Sequence, residues 1–286
     1  MERKKIFIAA LFAFCSNVYA ANMAYVEVNS NRFENAGCYI DSNTKQPFFQ
    51  MAAIFAANIN GEYPNSPVIY LNPQVTSTLS SSQVQHLQQK GIKVLVTLLG
   101  NHQNAGWACM TDAKAAEKFA DDVVAFVKKY NLDGIDIDDE YSECATNEYS
   151  LIMMAKAIKT HPGFKNKLLT KALFDDYRYF EASYQGHKLS EYLDYGLEMT
   201  YFDSDLMGRL KQYVVTGMSM SSLMVGGFAG SYYPNPSEIG KFTAKNQLAG
   251  MMVFDVQNNS QPYLSELQKG FTDGNSSVEV LSNCLD

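Results

Sequence analysis

The stretch Leu132-Asp133-Gly134-Ile135-Asp136-Ile137-Asp138-Asp139-Glu140 limits what this chain can fold into more than any other segment. It reads D-x-x-D-x-D-x-E, with Leu and Ile between the acids. Alternate side chains of a β-strand point to opposite faces, so Asp136, Asp138 and Glu140 share one face and Ile135 and Ile137 the other. Neighbours on one face lie roughly 6.5–7 Å apart. Three carboxyls that close do not all ionise cheaply, and at least one should hold a proton near neutral pH. An exposed edge strand or a calcium site would tolerate such acids. The isoleucines on the opposite face, and the strand and helix patterns on either side, favour a buried strand. Acids stacked in a buried strand are costly, and chemistry is a common reason for such a cost.

The rest of the chain repeats the same rhythm. Strand-length apolar runs occur at 24–29, 52–56, 92–99, 132–139, 167–173, 195–202, 223–228 and 250–255. The run 92–99 (IKVLVTLL) is nearly all apolar and β-branched, as expected of a strand buried on both faces. Helical patterns fall between them, at 80–91 with Gly91 as the stop, and at 111–130, 146–159, 236–246 and 262–270. In the second of these Phe119, Val123, Phe126 and Val127 recur at helical spacing. Eight strands alternating with helices predict an α/β fold, a single-domain (β/α)8 barrel of the TIM type. An open doubly wound sheet is the alternative. No G-x-G-x-x-G or G-x-x-x-x-G-K-[ST] follows a strand, which weakens it. No repeat, low-complexity tract or linker divides the chain, and Tyr232-Tyr233-Pro234-Asn235-Pro236 reads as a stiff βα connection.

The first residues read as a secretory signal peptide over 1–20: bases Arg3, Lys4 and Lys5, an apolar run from Ile6 to Phe14, and a small-residue cleavage site ending at Ala20. The run is too short to anchor in a bilayer. Phe14 before Cys15 is too bulky for a lipobox, which argues against lipidation. The barrel is then expected over 21–286, exported to the periplasm or beyond. Cleavage also removes Glu2, taking the formal charge from −7 to −9. An acidic chain without a basic cluster suits neither nucleic acid nor an anionic membrane. A neutral, hydroxyl-rich ligand suits it well, and a monomer is expected. The histidines are scattered and no H-E-x-x-H or C-x-x-C occurs, so neither a metal nor a cofactor is expected.

In a TIM barrel, functional residues gather at the C-terminal ends of the strands. Glu140 falls at or just past the end of the fourth strand, with Asp138 and Asp136 stepping down beneath it. Glu140 is then placed to protonate a leaving group. Asp138 and Asp136 are placed to share a proton, and their repulsion should help keep Glu140 protonated near neutral pH.

The acidic strand resembles the signature of glycoside hydrolase family 18, which includes chitinases and endo-β-N-acetylglucosaminidases. Further segments resemble the bacterial endo-β-N-acetylglucosaminidase H group: Tyr25-Val26-Glu27-Val28-Asn29, Ile54-Phe55-Ala56-Ala57-Asn58-Ile59-Asn60, Leu98-Leu99-Gly100-Asn101-His102-Gln103 and Asp138-Asp139-Glu140-Tyr141. They run in the same order through the first half of the chain, and the second half is less alike. The resemblance implies a retaining, substrate-assisted hydrolase. Glu140 would be the acid/base, and Asp138 would orient the substrate's 2-acetamido group as its carbonyl oxygen attacks the anomeric carbon. Asp136 would support Asp138 by a hydrogen bond, and Asp133 would fix the start of the strand. Met199-Thr200-Tyr201-Phe202-Asp203 resembles the family's sixth-strand element and makes Tyr201 the candidate to hold the acetamido oxygen. Phe254 sits where many chitinases place a Trp floor. That departure counts against a chitinase.

The implied substrate is the GlcNAc-β-1,4-GlcNAc core of N-linked glycans of the high-mannose class. A chitinase and a non-catalytic carbohydrate-binding barrel stay open as alternatives. Asn101, His102 and Trp107 are candidate sugar contacts, although a polar turn and core packing explain them too. Glu27 is expected to be structural. Asp175, Asp176, Asp203 and Asp205 read as cleft-lining or solvated loop acids, and Asn258 and Asn275 lie in N-x-S sequons. Asp139 should face away from the cleft, so its substitution should hurt much less than that of its neighbours. Four cysteines remain in the mature chain, enough for two disulfides in any of three connectivities. Cys109 follows the third strand and Cys144 the fourth, which predicts Cys109–Cys144 on adjacent loops and leaves Cys38–Cys284 to tie the termini.

Overall fold

A computed structural model describes residues 20–282, 284 and 285. The expected signal peptide lies, except for Ala20, outside the described residues. Among the described residues, eleven strands and eight α-helices follow one another. The strands are β1 (Met23–Glu27), β2 (Tyr39–Asp41), β3 (Met51–Asn60), β4 (Val68–Tyr70), β5 (Lys93–Gly100), β6 (Gly134–Asp138), β7 (Leu168–Leu173), β8 (Tyr195–Glu198), β9 (Leu223–Phe228), β10 (Gly250–Phe254) and β11 (Val278–Val280). The helices are α1 (Pro73–Ser80), α2 (Gln83–Gln89), α3 (Ala113–Lys129), α4 (Ser150–Thr160), α5 (Tyr177–Glu181), α6 (Leu206–Val215), α7 (Pro236–Lys245) and α8 (Gln261–Phe271).

Eight strands, β1, β3 and β5 to β10, pair in parallel, and β1 closes the ring by pairing with both β3 and β10. With helices between the strands, this is a closed (β/α)8 barrel. β4 adds antiparallel to the far end of β3, and β2 pairs antiparallel with β11 in a separate ribbon. All eight predicted strand runs are barrel strands.

The two-residue alternation of the strands builds two apolar layers. One set of side chains, including Met23, Tyr25, Met51, Leu95, Leu197, Met224 and Met252, fills the barrel. The other, including Ile135, Ile137, Leu169 and Val225, packs outward against the helices. Helix ends follow their chemistry. Asp112 caps α3 by accepting from the Lys114 N–H at 2.9 Å, and Lys128 and Lys129 sit in its last turn, where cations suit the helix dipole. Asn235 caps α7 just before Pro236.

Both predicted disulfides are present. Cys109–Cys144 joins the loops after β5 and β6, and Cys38–Cys284 ties the segment before β2 to the C-terminal tail. Their Cα separations are 5.9 and 5.5 Å. No helix of the described residues is long and apolar enough to cross a membrane.

Candidate active site

The acidic strand is buried as its pattern predicts. β6 sits between β5 and β7, and its register sets Asp136 beside Thr97 on one neighbour and Thr170 on the other. The three residues form a row inside the barrel. The Thr97 and Thr170 hydroxyls donate to Asp136 at 3.0 and 2.5 Å, and the Tyr25 hydroxyl donates from β1 at 2.8 Å. Asp136 therefore takes its hydrogen bonds from three hydroxyls, and not from Asp138 as the sequence suggested. Burial pushes its carboxyl up to about 6, even though these hydroxyls pull it down.

Asp138 lies one step higher and is almost fully buried. Its Oδ1 accepts the Glu140 N–H at 3.2 Å, turning the chain at the strand end. Burial, and then the Glu140 carboxyl beside it, push Asp138 well above the ordinary carboxylate range. Glu140 is half-buried at the rim, and burial followed by the charge of Asp139 raises it too. Burial, more than repulsion among the stacked acids, is thus the leading cause at each position. Asp133, at the foot of the strand, accepts from the Val94 N–H and the Gln88 side chain, at 2.8 and 2.9 Å.

Gly100, at the end of β5, accommodates the rim. Its N–H donates to the Glu140 carbonyl at 3.1 Å, and a Cβ there would meet that oxygen at 2.3 Å. Gly226 on β9 does the same for Tyr201, whose ring carbon would lie 3.0 Å from an added Cβ.

Above the carboxyls opens a cavity of about 380 Å³, walled largely by apolar and aromatic residues. Asp138 and Glu140 are its acids. Tyr25, Phe55, Tyr201 and Phe254 form the opposite wall, and Tyr141, Phe174 and Phe202 reach its mouth. Tyr201 and Phe254 have ring centroids 6.0 Å apart, and Phe254 stacks on Phe228 at 6.2 Å. The Tyr201 hydroxyl approaches the Met252 sulfur at 3.3 Å, and burial holds this phenol well above its usual range. A pocket with few polar groups beside one buried and one half-buried carboxyl fits a sugar face held by stacking while its glycosidic oxygen meets an acid.

The other candidates divide. Asn101 donates to Asn60 at 2.7 Å, and His102 donates its backbone N–H to the Tyr141 carbonyl at 2.7 Å. The exposed His102 ring lies 5.5 Å from that of Tyr141. His102 thus braces the loop that carries Tyr141, Asn101 ties the end of β5 to the end of β3, and neither lines the cavity itself. Trp107 is not a sugar contact. It is wholly buried, its Nε1 donates to the Leu98 carbonyl at 2.7 Å, and its ring packs edge-on to Phe119. The β5–α3 loop returns beneath the surface there, so no face of the indole reaches the cleft. Glu27 accepts from Asn29 at the end of β1, a structural place. Asp176 is no solvated loop acid. It is buried against the ammonium of Lys171 and accepts from Tyr213 at 2.7 Å.

Sequence reasoning left out Tyr25, Thr97, Thr170 and Lys171. The first three were within reach: each sits in step with the inward positions of its strand. Lys171 was not, because a lone lysine in a strand gives no sign of where its ammonium ends.

The comparisons with known proteins agree with this geometry. The chain is 48% identical over 128 residues to an endo-β-N-acetylglucosaminidase of Flavobacterium sp. (strain SK1022), a match covering 44% of this chain and 40% of that protein. It is 29% identical over 252 residues to endo-β-N-acetylglucosaminidase F1 of Elizabethkingia meningoseptica, covering 85% of this chain and 73% of that one. Among solved structures it resembles EndoBT-3987 of Bacteroides thetaiotaomicron in complex with Man9GlcNAc2Asn. The TM-score is 0.77 at 22% identity, over 94% of this chain and 68% of that one. A chitinase from the same organism matches with a TM-score of 0.61 at 18% identity, over 82% of this chain and 89% of that one. The family model described as "Glycosyl hydrolases family 18" matches residues 12–226. With a closed parallel barrel, a buried acid stack ending in a glutamate at the rim and this match over most of its length, the chain belongs to glycosyl hydrolase family 18.

Proposed function

We propose that this protein is an exported endo-β-N-acetylglucosaminidase that hydrolyses the GlcNAc-β-1,4-GlcNAc core bond of N-linked glycans, preferring the high-mannose class. The observation that carries the reading is the placement of Asp138 and Glu140 side by side against an aromatic wall, both raised by burial. The two named relatives support the activity, and the Man9GlcNAc2Asn complex of a fold neighbour motivates the high-mannose class.

The proposed reaction is the one the family resemblance implies, assigned to the residues that line this cavity. Glu140, its carboxyl raised by burial and then by the charge of Asp139, gives its proton to the glycosidic oxygen as the bond breaks. The substrate's own acetamido oxygen attacks the anomeric carbon from the opposite face, forming an oxazolinium ring. Asp138 accepts the acetamido N–H and stabilises the positive charge that grows on it. Tyr201 presents its phenol toward the acetamido oxygen, and Phe254 offers a stacking face. Water, deprotonated by Glu140, then opens the ring with overall retention. With the nucleophile on the sugar, the spacing rule for paired enzymic carboxylates does not apply. Asp136 keeps the floor of the site in place through its three hydroxyl partners.

Incubating the pure protein with a high-mannose glycoprotein should leave a single GlcNAc on asparagine, read by mass spectrometry. Glu140→Gln and Asp138→Asn should each lose at least about a hundredfold in kcat/KM. Wild-type protein that releases no glycan, or a fully active Glu140→Gln, would defeat the reading. Cleavage of chitin oligomers with indifference to mannosylated substrates would replace it with a chitinase.

A further inference from the structure

Lys171 is a charged residue with no exposed surface, and the reaction proposed above does not use it. It points outward from β7, into the layer between the barrel wall and α5 and α6. Its ammonium has three partners: Asp139 Oδ1 at 2.5 Å, the Ala172 carbonyl at 2.8 Å and the Asp176 carboxylate. Burial works against its charge, and the two carboxylates more than offset this, so the ammonium stays protonated.

The consequence lies one residue further along. Asp139 sits between Asp138 and Glu140. On the β5 side, the Gly100 N–H still holds the Glu140 carbonyl. On the β7 side, the strand register ends at Ile137 opposite Lys171. Beyond that point, among the described residues, the Lys171–Asp139 ion pair holds the chain to β7. Ala172, whose carbonyl takes another of the ammonium's protons, lines the cleft. One buried cation therefore ties both walls of the site. A buried ion pair adds little net stability over a well-packed apolar replacement, so its main effect here is placement.

We propose that Lys171 and Asp139 are positioning residues for Glu140: their ion pair fixes the end of β6 and sets the field in which Glu140 titrates. The role rests on Glu140 being the acid/base. The titratable groups whose fields reach Glu140 are Asp138 and Asp139 on its own segment, Lys171 from β7, Asp176 from the turn before α5, and Tyr201 from the end of β8. Lys171 is the cation among them.

The test has an arm that needs no substrate. In protein labelled with ¹³C at glutamate carboxyls, the Glu140 signal is assigned by its loss in Glu140→Gln and then titrated. Asp139→Ala keeps Asp176 as counter-ion to Lys171, so the fold should survive. Its Glu140 midpoint should fall by about one pH unit, with one negative neighbour gone and the ammonium less shielded. On a high-mannose glycopeptide its kcat should fall roughly ten- to a hundredfold, with KM within about twofold. Asp139→Asn retains a neutral tether, so its midpoint should move the same way with a smaller loss of kcat. Lys171→Met should move the midpoint upward. Should that variant fail to fold, the two Asp139 variants decide the matter. A Glu140 midpoint unmoved in Asp139→Ala, or a loss of activity that tracks only a lower melting temperature, overturns the proposal. Shifted midpoints in a protein whose wild type releases no glycan would uphold the placement and refute the glycosidase reading instead.

Discussion

At the scale of single residues, Asp136 shows how a buried acid is held. Its three hydroxyl partners satisfy it whether or not it is charged, because a hydroxyl donates to a carboxylate and also accepts from a carboxylic acid. An unfolded aspartyl group titrates near 3.9, whereas this one is raised to about 6. Between those values the folded chain keeps a proton that the unfolded chain has released. Asp136 thus costs no stability below about pH 4, costs progressively more as pH rises towards 6, and costs the most above it. The difference amounts to roughly 3 kcal/mol. Urea unfolding of Asp136→Asn across pH 4 to 7.5 should show a flatter profile than wild type, with the variant gaining relative stability at the upper end. An unchanged slope would mean that Asp136 titrates in the folded protein as it does in the unfolded chain. Gly100 is a second residue of this kind. Gly100→Ala would force a methyl group against the Glu140 carbonyl, so kcat should fall by at least about tenfold while the circular dichroism spectrum stays native.

At the scale of elements, what could be read from the chain depended on how much burial each element carries. The eight barrel strands are buried on both faces, and such runs are apolar enough to read directly. The rim element β4 exposes Val68 and Tyr70, and β2 and β11 are three residues each, so neither gives a periodic signal. The expected helix at 80–91 is narrower, because Ser81 and Ser82 separate α1 from α2. The strand expected to run to Phe202 stops at Glu198. There the Thr200 hydroxyl takes over, donating to the Gly226 carbonyl at 2.8 Å and accepting its N–H at 3.0 Å, and the turn delivers Tyr201 to the cleft. The acid stack was legible because strand alternation is rigid. The Lys171 cluster was not, since it depends on which helix packs over the strand. Trp107 belongs at this scale, as the joint between β5 and α3. Trp107→Ala should cost roughly 3–5 kcal/mol of stability while leaving KM for glycopeptide unchanged at a temperature where the variant is folded. A tenfold higher KM with undiminished stability would return Trp107 to the substrate site.

At the scale of the whole molecule, the barrel separates the chemistry from the closure of the chain. The cleft lies at the carboxyl ends of β1, β3, β5, β6, β7, β8 and β10. The Cys38–Cys284 bridge instead joins the segment before β2 to the tail beyond β11, and neither contributes to the cavity wall. It closes a loop of 246 residues, and a bridge over so long a loop restricts the unfolded chain most. The two cysteines also hold together the ends that the β2–β11 ribbon pairs, with register Tyr39 opposite Val280. Replacing both by serine should lower stability by about 2–5 kcal/mol, and so the melting temperature by roughly 5–15 °C. At 20 °C, where the variant remains folded, kcat and KM should match those of wild type, because β1 and β10 still close the ring through their own ladder. The measurement is a thermal melt and a glycopeptide assay on one preparation. If kcat fell together with the melting temperature, the ends of the chain would be coupled to the acid stack, and the barrel would not be the independent frame that its closed sheet makes it.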